Sequence, residues 1–358
     1  QIESDETHAL ASMRRIAFRL WGEHRQSFTH AEGVAPNSFA PLYLNSWPGD
    51  LAQYWMAEVD RRWRKHRDDW SGLNDDERSA LTQLLDGPPH TLDAIRPAVA
   101  SHLFFLFAAD ATFTTEHVLP LFREDTTAAL AWNPYLHHPR YNDKLLEAGL
   151  LDSTLAEWAR LEALGSHLRS QFFGLVASIV SFAGISSESR QALLDQSVLA
   201  DNGAHAADFA HAVVRFLGAD GIDGAEVWKQ WLRDHLTARV DGLPRTPDIE
   251  ELTCWADTVP HLGDAIPEAT KLLGNHRIGL GDRFFHPDFP ENALSAHGPV
   301  LVSHFAERVR NSSPSNYSIV HQVKELIDAL CRVLGDTGVQ PLVHAATARG
   351  FLGGSSAY

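Results

Sequence analysis

The chain contains 358 residues, of which 44% are hydrophobic, and it carries a formal net charge of −16. A chain of this length buries about three quarters of its unfolded surface and needs no disulfide or metal to stabilise a core. The acidic balance excludes a broad nucleic-acid surface, because phosphate groups are bound by clustered lysine and arginine. One short basic run, residues 61–67, is interpreted as the solvated face of a helix, with an anion or RNA contact as the alternative.

Cysteine usage and apolar run lengths narrow the class of protein further. Cys254 and Cys331 lie far apart within amphipathic patterns, which is typical of small buried residues in a reducing cytoplasm. The apolar run 103–109 is far shorter than the ~20 residues that cross a bilayer, so we interpret it as a core helix and expect no membrane association. Because the chain starts at Gln1 with neither Met nor a signal-peptide pattern, we expect an excised piece of a longer polypeptide.

Apolar residues recur with the 3.6-residue period of an α-helix along nearly the whole chain, and no alternating run predicts a strand. From Asp50 one apolar stripe continues as far as Trp70. Asn74 and Glu77 have the spacing of a capping box at the start of the next helix. Further helices are predicted over residues 91–110, 114–123, 126–136, 140–148, 153–182, 225–240, 299–310 and 317–334.

Helix hairpins of roughly 40 residues follow one another, which predicts an all-α fold of stacked antiparallel helix pairs. Either an irregular HEAT-like α-solenoid or a compact helical array fits this pattern. We expect an N-terminal array over residues 1–184 and a C-terminal array over 185–358, with one continuous domain as the alternative. The stretch 274–298 breaks the period and is predicted to be a long loop that packs through its aromatic residues.

The connection over residues 131–151 is unusually rich in aromatic and polar residues. Aromatic side chains at helical spacing precede and follow Pro139, so two stripes converge on a corner. This corner has two interpretations, a structural reinforcement or a partner-binding surface, because Trp, Tyr and Arg also dominate interface hot spots. The candidate interaction residues are Trp132, Tyr135, Arg140, Tyr141, Asn142 and Asp143.

Residues that could carry chemistry are few. The chain has no nucleophile elbow, P-loop or zinc-protease motif, so we expect no catalytic residue and no cofactor site. The alternative is an all-α metal-dependent hydrolase that uses one of two clusters of histidine and carboxylate side chains. The first cluster is His205, Asp208 and His211, and the second is Asp282, His286 and Asp288.

The pattern Trp132-x-x-Tyr135-Leu136-x-x-x-Arg140-Tyr141-Asn142-x-x-Leu145-Leu146-x-x-Gly149-Leu150-Leu151 resembles part of a helical region of unknown function. That region follows sirtuin-like domains in bacterial proteins associated with phage defence, and the resemblance covers mainly residues 90–180. It implies a sensor or scaffold that works beside an NAD-consuming domain. The chain departs from the family in having no Gly-x-Gly-x-x-Gly motif and no sirtuin-like Asn/His constellation, so NAD hydrolysis is not assigned to these residues.

The sequence therefore favours a non-catalytic helical sensor, scaffold or regulatory module of a larger bacterial defence-type protein. Its expected partner is another protein or an adjacent effector domain, and a homo-oligomer is possible. The hydrolase is the alternative function, and a purely structural spacer is a third.

Overall fold

The computed structural model describes residues 2–29, 43–124, 127–274, 276–281, 291–314 and 317–352. Throughout these ranges the regular structure is helical and contains no strand, which confirms the all-α prediction. The chain divides into two compact units, Gln1–Gln171 and Phe172–Tyr358. The helix Ser166–Phe182 contributes residues to both units.

The first unit is organised around its fourth helix, which packs against the second and the sixth. Small side chains on this helix, among them Ala94 and Ala98, are fully buried and permit close packing. The α-helices of this unit that precede Ser166 and exceed five residues are α1 (Ile2–His24), α2 (Trp47–Lys65), α3 (Asp75–Leu85), α4 (Pro89–Ala100), α5 (Leu103–Ala109), α6 (Ala128–Leu136) and α7 (Leu151–Glu157).

Local hydrogen bonds set the end of α2 and the start of α3. The backbone N–H of Glu77 donates to the Asn74 side chain at 2.9 Å, and the N–H of Asn74 donates to the Glu77 carboxylate at 3.0 Å, so the predicted capping box is confirmed.

Helix α2 ends at Lys65, so the helical stripe predicted as far as Trp70 is too long. Trp70 instead lies in the following turn and donates its indole N–H to the carbonyl of Ala109 at 2.7 Å.

The helix predicted over residues 91–110 is divided into two helices, α4 and α5, and the chain bends by 72° between them. Pro97 lacks a backbone N–H, and the Ser101 hydroxyl donates to the carbonyl of Ala98 at 2.8 Å, so the helical hydrogen bonds are weakened at this point. Within the described ranges, no single helix has the length and apolar character to span a membrane, and only this bent pair meets both criteria when its members are joined.

The second unit is built around the short buried helix α12 (Ile249–Ala256), which packs against α10 (Ala206–Leu217). Close to the chain end, α14 (Glu291–Arg310) packs against α15 (Tyr317–Gly338) and α16 (Gln340–Ala348). The α-helices of more than five residues, starting with the one shared by both units, are α8 (Ser166–Phe182), α9 (Ser187–Leu199), α10 (Ala206–Leu217), α11 (Arg233–Val240), α12 (Ile249–Ala256), α13 (Ile266–Leu273), α14 (Glu291–Arg310), α15 (Tyr317–Gly338) and α16 (Gln340–Ala348).

A buried ion pair fastens α11 to α12. Arg239 donates from Nε and Nη2 to the two oxygens of Glu251, at 2.6 and 2.9 Å, and neither side chain is exposed to solvent. Arg245 reaches the same carboxylate at 3.3 Å. Arg239 also donates from Nη1 to the carbonyls of Leu243 and Arg245, so the loop between the two helices is fixed by charge-assisted hydrogen bonds.

A second buried pair joins α14 to the C-terminal end of α12. The Arg308 guanidinium lies 2.6 Å from a carboxylate oxygen of Asp257, and its Nε donates to the carbonyl of Gly279 at 3.0 Å. Burial raises the pKa of Asp257 to about 6, although Arg308 opposes this rise. Burial also lowers the pKa of His235 and of His304 to about 3, so both imidazoles are neutral at neutral pH.

The loop predicted over residues 274–298 is too long at its C-terminal end, because α14 already begins at Glu291. Gly298 lies inside this helix, where an added Cβ would come within 2.5 Å of the Leu334 side chain. Glycine is therefore required here for helix packing and does not mark a loop. The predicted aromatic packing of the loop falls on residues 282–290, which lie outside the described residues.

The helix predicted over residues 153–182 is also interrupted. Helix α7 ends at Glu157, a 3-10 turn follows over Trp158–Ala163, and Leu164 has an extended backbone with a ψ of 102°. Helix α8 then begins at Ser166. The apolar residues keep a helical spacing across this interruption, because side chains three residues apart in a 3-10 turn lie on the same side of that turn.

We expect Glu251→Gln to lower the free energy of unfolding by about 3–5 kcal/mol, because Arg239 would keep its buried charge and lose the opposing one. Urea-induced unfolding followed by circular dichroism measures this difference. The matched control is Asp234→Asn, which breaks an exposed pair with Arg233 and should change the value by less than about 0.5 kcal/mol. Equal effects of the two substitutions would contradict the prediction.

Candidate functional site

The predicted aromatic corner is a tightly packed cluster inside the first unit. The rings of Trp132 and Tyr135 are 5.8 Å apart, and each meets the ring of Phe122 edge to face, at 5.1 and 5.4 Å. Trp132 is fully buried and Tyr135 is 3% exposed. These two candidate interaction residues therefore belong to the core, where their aromatic contacts stabilise the fold.

The other four candidates lie nearer the surface. The backbone carbonyl of Arg140 accepts a hydrogen bond from the Tyr135 hydroxyl at 2.7 Å, while the Arg140 side chain is exposed. Asn142 caps the next helical segment, because its side chain accepts from the N–H of Leu145 at 2.8 Å. Tyr141 is half-buried and Asp143 is exposed.

The Phe122 carbonyl connects the corner to its surroundings. It accepts a hydrogen bond from the Trp132 indole at 3.2 Å and another from the Arg160 guanidinium at 3.3 Å. Phe122 itself is fully buried. Two donors on one carbonyl hold the end of the 3-10 turn Leu119–Phe122, and this fixes where the next residue, Arg123, leaves the core.

Arg123 clamps the chain at Gly149. Its Nη2 donates to the Gly149 carbonyl at 2.8 Å, its Nε donates to the Ser153 hydroxyl at 3.1 Å, and it pairs with Asp152 at 3.2 Å. Gly149 has a φ of 130°, and a Cβ there would lie 2.3 Å from the Arg123 guanidinium. The backbone angle therefore requires glycine at this position, and a larger residue would also displace the Arg123 guanidinium.

Two irregular turns with π-type hydrogen bonding, Thr114–Val118 and Leu146–Leu150, interrupt the α-helices predicted over residues 114–123 and 140–148. The second turn is kinked at Gly149, whose φ of 130° is not helical. Such turns insert an extra residue into a helix and occur frequently at functional sites. The first turn is continuous with Leu119–Phe122, and the second contains Gly149. The bonds to Phe122 and Gly149 thus position both turns.

Two hollows of about 330 and 320 Å³ open to solvent between these turns. Thr115 and Ala148 line both hollows, which therefore adjoin, and we refer to the pair as the π-turn groove. The first hollow is lined by Thr115, Leu119, Pro120, Arg123, Glu124 and Ala148. The second is lined by Phe107, Ala111, Thr112, Thr115, Glu116 and Ala148.

Carboxylates stand at both ends of the π-turn groove. Glu116 is exposed and forms no ion pair within the described part of the chain. Glu124 is half exposed at the other end, where its carboxylate lies 3.3 Å from Arg96. The lining arginine, Arg123, shares its charge with Asp152. The groove thus combines an apolar floor with a rim that carries negative charge.

Glu157 is a buried carboxyl close to the same support. One of its oxygens accepts from Nε of Arg160 at 3.0 Å, and the other has no hydrogen-bond partner among the described residues. Burial raises the pKa of Glu157 to about 7, and the neighbouring Arg160 limits the rise. This carboxyl therefore changes its protonation state near neutral pH.

The metal-site alternative finds no support in the described residues, where no group of three or more His, Cys, Asp or Glu side chains is placed to hold a metal ion. His205 is buried, and its Nδ1 lies 3.9 Å from the Asp208 carboxylate. His211 lies half-buried on the same helix and completes no ligand set with them. The second predicted cluster, Asp282, His286 and Asp288, lies outside the described residues.

Sequence reasoning located the corner and missed the groove beside it. Thr115, Glu116 and Arg123 carry no motif, and their spacing is ordinary for a helix. One available signal was Gly149, a glycine within an otherwise helical pattern, which often marks a close approach of another group. A second was Pro120, which prevents the preceding turn from continuing as a regular α-helix.

We expect Gly149→Ala to lower the free energy of unfolding by about 2 kcal/mol, because it strains the backbone and displaces the Arg123 guanidinium. Urea-induced unfolding measures this. Gly22→Ala is the matched control, since Gly22 lies in α1 with open space around its Cβ position, and it should be neutral or slightly stabilising. A loss as small as that of the control would contradict the proposed clamp.

We expect Glu157→Gln to match the wild type in stability at pH 5 and to exceed it at pH 8 by about 2–3 kcal/mol. The pKa of Glu157 is higher in the folded chain than in the unfolded chain. The folded state therefore keeps a proton that the unfolded state loses, and stability falls as pH rises from the ordinary glutamate pKa of 4.5 to about 7. Glutamine has no such proton to lose.

Thermal unfolding of both proteins at both pH values tests this pH dependence. The control Glu162→Gln removes an exposed carboxylate that pairs with Arg169, and its effect should be the same at pH 5 and pH 8. A Glu157→Gln variant whose effect does not depend on pH would rule out the raised pKa.

Comparison with protein-family models, with curated proteins and with solved structures gives no match.

Proposed function

We propose that this chain is a helical protein-recognition module and that the π-turn groove is its contact surface. The single observation that carries the proposal is the fixed construction of the groove. Two non-standard helical turns face each other, and one buried and two partly buried hydrogen bonds to the carbonyls of Phe122 and Gly149 hold them in place. A binding surface that is ordered before its partner arrives loses less conformational entropy on binding.

The chemistry of the groove favours a protein partner over the alternatives. Its floor is formed by aliphatic and aromatic groups, including Leu119, Ala148 and part of Phe107, which suit the burial of apolar side chains. Glu116 and Glu124 at the rim disfavour phosphate-bearing ligands. Exposed threonines at positions 112 and 115 add hydrogen-bonding groups, as is typical of interface rims.

Under this proposal, the aromatic corner supports recognition from inside the fold. Trp132 and Tyr135 position the groove, and Arg140 and Asp143 offer exposed charge beside the corner. The proposal is compatible with a sensor, scaffold or regulatory module of a larger bacterial defence-type protein, as the resemblance implies. Candidate partners are an adjacent effector domain, a separate protein or another copy of the chain.

Site-specific photo-cross-linking in producing cells tests the groove as a contact surface. With a benzophenone amino acid in place of Thr115, we expect a discrete covalent adduct, because this side chain lines both hollows. Adding Ala148→Arg should abolish the adduct by filling the groove. Mass spectrometry of the adduct identifies the partner.

The matched control places the same amino acid at Gln83, which is exposed on α3. This position should give no discrete adduct. Identical adduct patterns at positions 115 and 83, or an adduct at 115 that persists with Ala148→Arg, would refute the groove as the recognition surface.

A further inference from the structure

Helix α1 presents an apolar stripe to solvent. Met13, Ile16 and Leu20 are 51%, 56% and 36% exposed, and their spacing places them on one side of the helix. The adjacent side of the helix is anchored in the first unit, where Ala17 and Trp21 are buried. The stripe is about 10 Å long, given the rise of 1.5 Å per residue.

Contacts within the unit fix the orientation of α1. The ring of Phe18 lies 5.1 Å from that of Trp55, edge to face, and Arg14 pairs with the buried carboxylate of Glu58 at 2.8 Å. The exposed stripe therefore does not arise from a loosely held helix. It is a fixed apolar surface, and such surfaces commonly mark protein contacts.

Two arginine side chains flank the apolar stripe. Arg15 and Arg19 are exposed, lie one turn apart beside Ile16, and form no ion pair with any described residue. By contrast, the arginines of the basic run 61–67 that lie within α2 are paired with Glu58, Glu77 and Asp60. Helix α1 thus presents exposed apolar groups beside two exposed arginines that form no ion pair among the described residues.

We propose that the π-turn groove of one copy of the chain binds helix α1 of a second copy. This inference rests on the groove being a protein-recognition surface, and it names the occupant. The apolar floor complements the stripe centred on Ile16, and the carboxylates of Glu116 and Glu124 complement Arg15 and Arg19. Complementary charge at the rim gives such a contact its specificity.

The two surfaces are different, so the contact is heterologous. Each copy keeps one free groove and one free helix α1 after pairing, and assembly therefore continues into a ring or an open chain. The expected behaviour in solution is a series of oligomers that grows with protein concentration and shrinks as salt screens the exposed charges.

Analytical ultracentrifugation of the full chain, at low and high salt, provides the test. We expect Arg15→Glu/Arg19→Glu to weaken association at least tenfold, and Glu116→Lys/Glu124→Lys to do the same. The combined variant restores opposite charge across the contact and should recover most of the association. Ile16→Ser, which removes the middle of the stripe, should also weaken it at least tenfold.

Two controls match these changes. Lys229→Glu/Lys324→Glu reverses two exposed charges in the second unit, and Ile249→Ser replaces an isoleucine that is 59% exposed there, so neither should alter association. Circular dichroism confirms that each variant is folded.

A wild-type chain that stays monomeric at all concentrations, or charge reversals that are not rescued in combination, would overturn the proposal. The proposed function would still stand if Thr115 cross-linked to a different protein. If neither self-association nor any adduct at Thr115 occurred, both would fall.

Discussion

The carbonyl oxygen of Phe122 is the point at which the first unit is held together around its candidate site. An indole and a guanidinium donate to it from two different segments, α6 and the turn after α7. The bond from the Trp132 indole is buried, and the bond from the Arg160 guanidinium is partly buried, so both are shielded at least in part from competition with water. The position of Phe122 then fixes Arg123, and Arg123 fixes Gly149. The groove between the two π-helical turns depends on this chain of contacts.

The charged side chains that stabilise the two units differ in their burial and in how many hydrogen bonds they form. Arg123 is partly exposed and donates to two buried acceptors, the Gly149 carbonyl and the Ser153 hydroxyl, and to the exposed carboxylate of Asp152. Glu157 lies inside, and Arg160 bonds only one of its two oxygens, so burial outweighs the attraction of the guanidinium and raises its pKa. In the second unit Glu251 receives donors on both oxygens. A buried carboxylate with donors on both oxygens thus fastens two helices, whereas the one with an unbonded oxygen has a raised pKa.

Sequence patterns predicted those features that depend on neighbouring residues. The capping box at Asn74 and Glu77 is local, and the convergence of aromatic residues at the corner follows from helical spacing. Features set by distant partners were not predictable. Pro97, Pro120 and Gly149 mark places where a helix can be interrupted. They do not give the 72° angle between α4 and α5 or the geometry of the irregular turns, because an apolar pattern of helical period is the same with or without them. Gly298 shows the same limit, because only the position of Leu334 explains why a glycine stands inside a helix.

The distribution of charge connects the composition to recognition. An excess of 16 negative charges would repel any acidic partner unless its positive groups were concentrated on one surface. Within α2 the arginines of the basic run are paired inside their own unit, which removes them as a binding surface and explains why a basic stretch in the sequence indicates little. On α1 the arginines beside the apolar stripe are not paired with any described residue. Under the proposal, attraction between copies of this acidic chain comes from local charge, with two exposed arginines on α1 and the exposed carboxylate of Glu116 at the groove, since the net charge of α1 itself is not positive.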